Sequence, residues 1–95
     1  MATRYRLCFE GYVRSVADGQ PISGASVGWL SGGGDAVVAV TRTDLSGFYS
    51  LSCPPHGQGR LLRARKNGWS VQEIWGVTYS TEAQRYDFSL EPTDL

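Results

Sequence analysis

The amino-acid sequence predicts an all-β fold, an antiparallel sandwich of seven strands in a single domain. Three observations lead there. Segment after segment alternates apolar and polar residues with a period of two, and none keeps a helical period over a useful length. Turn devices such as Asp18-Gly19, Asp44-Leu45-Ser46-Gly47 and Asn67-Gly68 recur at a spacing of about 8–12 residues. Twelve glycines and four prolines punctuate runs rich in β-branched and aromatic residues. A chain of 95 residues can build one modest core, burying roughly 60–70% of the surface its unfolded form exposes.

The first strand is expected over 5–13, with Tyr5, Leu7, Phe9, Gly11 and Val13 inward and Arg6, Cys8, Glu10 and Tyr12 outward. Residues 15–24 form a loop, because Asp18-Gly19 turns the chain and Pro21 offers no ladder donor. Ala25 to Leu30 is a strand with Ala25, Val27 and Trp29 on one face, and Ser31-Gly32-Gly33-Gly34-Asp35 is a flexible connector. The β-branched run 36–43 reads as a central strand. Asp44 to Gly47 is a hairpin turn: the Asp carboxylate accepts backbone N–H groups two residues on, and the Gly supplies a positive φ. Phe48–Cys53 follows, ended by Pro54-Pro55. Segments 60–66, 71–79 and 85–91 complete the count, and Thr81 to Gln84 is the one place where a helical turn fits.

Alternation also bears on the two cysteines. If Phe9 points inward, Cys8 points outward, whereas Tyr49 and Leu51 carry Cys53 inward. Opposite faces put the Cβ atoms too far apart for a bridge, so two free thiols are expected, in agreement with a reducing compartment. Formal net charge is zero, which argues against nucleic acid or an anionic membrane surface as the main partner. Eight of the nine basic residues are arginine. No stretch approaches the roughly 20 apolar residues of a membrane span, and the N-terminus lacks a secretory apolar core. Compartment is left open, with the cytoplasm as the default.

Taken in order, Gly11-Tyr12-Val13, Pro21-Ile22-Ser23-Gly24-Ala25-Ser26-Val27, Thr43-Asp44-Leu45-Ser46-Gly47-Phe48-Tyr49-Ser50-Leu51, Pro54-Pro55, Gly68-Trp69 and Tyr86-Asp87-Phe88-Ser89-Leu90 resemble the carboxypeptidase regulatory-like domain. The resemblance covers about residues 7–91. It implies a seven-stranded Greek-key sandwich of the transthyretin (prealbumin) type, and a role in stability, spacing or binding beside other domains rather than chemistry.

Related sandwiches that do perform chemistry set tests that these residues fail. Isopeptide-forming adhesin domains need a lysine on the first strand, where this chain has Arg4 and Arg6. Hydroxyisourate hydrolases of transthyretin type use several histidines, and intradiol dioxygenases two histidines and two tyrosines; here His56 stands alone. His56, Cys8 and Cys53 have no metal-like spacing, and too few acids surround Asp44 for a calcium loop. No serine sits in a nucleophile elbow. The expectation is a non-enzymatic module without cofactor or metal.

Binding candidates are aromatic and arginine side chains. Trp29 belongs to the core and Trp69 caps one end of it. Both faces of 71–79 carry apolar residues, so its phase is open: with Trp75 and Tyr79 outward the strand shows an aromatic patch suited to a sugar ring or a protein, and with them inward it packs the core. Arg4, Arg6 and Tyr12 on the first strand and Arg63 and Arg65 on a later one would form one interface-like surface if those strands were neighbours. The expected function is that of a structural or protein-interaction component, with self-association or a protein partner. The alternative is a carbohydrate-binding module built on Trp75, Tyr79 and Trp69.

Overall fold

The computed structural model describes residues 4–93, and among them it holds eight strands and no helix. These are β1 (Arg6–Ser15), β2 (Ser26–Ser31), β3 (Ala36–Arg42), β4 (Phe48–Cys53), β5 (Leu61–Arg65), β6 (Gln72–Trp75), β7 (Gln84–Arg85) and β8 (Phe88–Leu90). One sheet places β4 and β7 on either side of β1, with β8 continuing along β1 beyond β7; the other runs β3-β2-β5-β6. Apolar side chains from both sheets meet in one core, where the Phe9 and Trp29 rings stand edge to face at 5.3 Å.

The pairing is not antiparallel throughout. Residues 76–83 carry the chain from β6 across to the first sheet, where β7 and β8 both lie parallel to β1. The expected last strand is therefore two short strands, and the cause is local. Between them, Tyr86 N–H donates to the Glu10 carbonyl at 2.9 Å, and the Tyr86 carbonyl sits directly over Gly11, accepting the Tyr49 hydroxyl at 2.6 Å. Tyr12 N–H then finds the Asp87 carboxylate, at 2.9 Å, in place of a ladder carbonyl. A side chain thus fills the gap between two pieces of ladder. Burial raises the Tyr49 phenol pKa above its ordinary value, with the Asp87 charge adding to it, so the hydroxyl stays a donor.

The expected free thiols are corrected: Cys8 and Cys53 form a disulfide, with Cα atoms 6.0 Å apart. Alternation fails because Leu7 pairs with Ser52 and Phe9 with Leu51, leaving Cys8 as the extra residue of a bulge. Cys8 and Phe9 both point inward in consequence. The bulge also reverses the phase before it. Leu7 and Tyr5, expected inward, are exposed, and Arg6 pairs with the inward Cys53, sharing its face at the open end of the sheet rather than the face of Tyr12.

Three further expectations change. The 36–43 run is not central but the edge strand β3, since loops and edges decide placement where β-branched composition suits either position. The strand expected over 71–79 stops at Trp75, where Gly76 takes a φ of 83°, so Tyr79 leaves that strand face. No helical turn forms at 81–84; the chain bends there and β7 begins at Gln84.

Turn chemistry holds where it is most specific. The Asp44 carboxylate accepts the Ser46 and Phe48 N–H groups and the Ser46 hydroxyl. That hydroxyl, more than the backbone donors, lowers its pKa below the ordinary carboxylate value. Just before it, Thr43 is buried and its hydroxyl joins two strands' ends, accepting Ala25 N–H at 2.8 Å and donating to the Ile22 carbonyl at 2.6 Å. Thr43→Val keeps the shape but leaves both backbone groups unpaired, so chemical denaturation should report a loss of about 2–3 kcal/mol. Thr43→Ser should recover most of it.

Candidate contact face

The register of the second sheet decides what its outer face carries. Val27 and Trp29 point to the core, so Ser26, Gly28 and Leu30 point away from it. A bulge at Val38 turns Val38 and Ala39 toward the core together and leaves Val37 and Val40 outside. On β5, Leu61, Arg63 and Arg65 lie opposite Leu30, Gly28 and Ser26; on β6, Trp75 and Glu73 lie opposite Leu61 and Arg63.

Three rows result, each running across the strands. The first, Val37–Leu30–Leu61–Trp75, is wholly apolar. Its two inner members are buried, but Val37 keeps 63% and Trp75 56% of its surface exposed. Leu61 is covered partly by Gly34 in the glycine connector. The second row is Val40–Gly28–Arg63–Glu73, with Val40 58% exposed. Arg63 and Glu73 neutralise each other at 2.6 Å, and Arg63 also donates to the Gly34 carbonyl. The third row, Arg42–Ser26–Arg65, is cationic and forms one wall of a cleft.

This arrangement gathers some of the residues singled out in the sequence and separates others. Trp75, Arg63 and Arg65 share the face. Tyr79 does not; it is half-buried against the core, with its ring 5.3 Å from that of His56. Trp69 packs partly on the core and lines the cleft. The single surface imagined from Arg4, Arg6, Tyr12, Arg63 and Arg65 does not form, because β1 and β5 belong to different sheets. Arg4 and Arg6 are exposed at the entry to β1. Tyr12 instead packs against Phe48 and lies under the guanidinium groups of Arg14 and Arg85 on the opposite outer face.

Sequence reasoning missed Val37 and Val40 as outward-facing, exposed residues. Their signal was the absence of polar alternation in 36–40, a pattern that an exposed apolar edge and a buried centre share. Among the described residues no buried side-chain polar atom lacks a hydrogen-bond partner, and no three His, Cys, Asp or Glu side chains converge. No family model matches the chain, and no curated protein matches it.

Proposed function

We propose that this chain is a non-catalytic β-sandwich module that works by contacting protein, in the first instance a second copy of itself, through the outer face and free edge of the β3-β2-β5-β6 sheet. One observation carries the reading: an apolar row spans all four strands, its buried inner pair Leu30 and Leu61 flanked by exposed Val37 and Trp75. An exposed tryptophan near an arginine is the composition of interface centres, and a neutralised Arg63–Glu73 pair adds little desolvation cost at its rim. The edge favours a second copy. β3 pairs only with β2, and its Ala36-Val37-Val38-Ala39-Val40 run has no proline or charge to discourage another strand. Zero net charge removes long-range repulsion between copies.

The fold reads as a transthyretin-like Greek key of the carboxypeptidase regulatory-like kind. Support comes from the connections: the chain changes sheets after β1, β3, β4 and β6 and stays within a sheet only at β2–β3, β5–β6 and β7–β8. A carbohydrate module built on Trp75, Tyr79 and Trp69 together is the weaker reading. Trp75 and Tyr79 do not share a face, Trp69 lines a separate cleft, and the neighbours of Trp75 in its row offer no hydrogen bonds to sugar hydroxyls.

Sedimentation from micromolar to millimolar protein tests the contact. Wild-type protein should show reversible dimers, and Val37→Lys or Trp75→Ser should leave monomers with an unchanged melting temperature. Wild-type protein that stays monomeric throughout would end the self-contact reading.

A further inference from the structure

Beyond the protein contact, and without requiring it, we propose that the cleft at the cationic end of this sheet binds an acidic glycan, with a sugar carboxylate or sulfate held between Arg42 and Arg65. The cleft has a volume of about 570 Å³ and is lined by Arg42, Arg65, Lys66, Asn67, Ser26 and Trp69 together with Gly24, Gly68 and Val71. Three cations line it and no carboxylate does, although the chain as a whole is neutral.

Its geometry comes from the sheet. Arg42 and Arg65 stand on either side of Ser26 in the ladder, two strand spacings or about 10 Å apart at the backbone. Both are exposed and neither takes part in an ion pair among the described residues. Arg42 makes only a long contact, 3.5 Å, to the Gly24 carbonyl. Long guanidinium arms at that separation can converge on one oxyanion, each offering a forked pair of donors. Lys66, by contrast, donates to the Ser23 carbonyl, which holds its ammonium beside Gly24.

The other lining residues decide between anions. Trp69 is anchored through its backbone, whose N–H donates to the Lys66 carbonyl and which bridges Pro92, and its side chain packs partly on the core while lining the cleft. An aromatic face beside hydrogen-bonding Ser26 and Asn67 suits a pyranose ring, whose C–H face stacks while its hydroxyls find partners. Gly68, with a φ of 86° and nothing within 4 Å of a would-be Cβ, leaves the entrance open to a chain that continues outward. A nucleic acid fits less well, since tracking a phosphate backbone takes on the order of 6–10 cationic contacts rather than three.

Titration calorimetry with a uronate tetrasaccharide, a heparin tetrasaccharide, a neutral galactose tetrasaccharide and a single-stranded oligonucleotide of matched charge tests this. Val37→Lys is titrated beside wild type, so that loss of self-contact and loss of glycan binding are read separately. One or both acidic sugars should bind, the better one naming carboxylate or sulfate. The neutral sugar should not bind, and the oligonucleotide should be at least about tenfold weaker. Arg42→Glu with Arg65→Glu should weaken the acidic sugar by about tenfold or more without changing the melting temperature. In a Trp75→Phe background, tryptophan emission should shift on binding, because Trp29 is buried and Trp69 reports the cleft. No binding of either acidic sugar, equal binding of the oligonucleotide, or an affinity indifferent to the double charge reversal would overturn the proposal.

Discussion

Gly11→Ala should unfold or nearly unfold this protein, with a loss on the order of 4 kcal/mol or more. A Cβ at Gly11 would overlap the Tyr86 carbonyl and stand 2.8 Å from an Asp87 carboxylate oxygen. Neither can retreat cheaply. The Tyr86 carbonyl is held by the Tyr49 hydroxyl, and Asp87 by the Tyr12 N–H. Moving the crossing aside breaks both bonds and pulls β7 and β8 from β1 together, since both pair with that strand. The penalty comes from close approach, not backbone conformation, so Gly11→Ser should be as damaging as Gly11→Ala. Gly19→Ala offers the contrast: nothing lies within 4 Å of its added Cβ, and only its positive φ of 73° opposes the change. Urea melts of the variants check the order.

Removing the Cys8–Cys53 bridge is the second large effect. The bond closes a loop with a sequence separation of 45 residues, for which the chain-entropy relation gives about 4 kcal/mol. Cys8→Ala with Cys53→Ala should lose about 2–4 kcal/mol, because the small apolar replacements leave no polar atom buried. Reduction should bring the wild type to a similar midpoint, and native protein should show no free thiol. A bridge between two strands of one sheet also removes the argument for a reducing compartment, since such bonds persist where the surroundings are oxidising.

How much of this was legible in the sequence depends on what each residue type can specify. Asp44 and Gly47 fix a turn by themselves, so β4 begins at Phe48 as expected. Trp29 and Phe9 have phases set by several neighbours of one kind, and both are core residues. Bulges are different. Nothing in Leu7-Cys8-Phe9 or Val37-Val38-Ala39 announces an extra residue, yet each bulge reverses every side chain before it. The first hid the disulfide, and the second puts Val37 and Val40, which strict alternation would send to opposite faces, on the same outer face. Gly76 did mark the end of β6, but a lone glycine within an apolar run is equally read as tolerated. The parallel pairing of β7 and β8 was beyond reach, because direction depends on how residues 76–83 cross between sheets. Of the contact face, Trp75, Arg63 and Arg65 were named from sequence. The apolar row that joins Trp75 to Val37 exists only through the register of four strands.

Amide hydrogen exchange along β3, read at micromolar and at millimolar protein, tests the contact account most directly. If a second copy pairs with the free edge, the β3 amides that point away from β2 should become protected as concentration rises, while those of the β4 edge stay unchanged, and Val37→Lys should abolish the gain. Exchange on that edge that is equally fast at both concentrations would contradict the account.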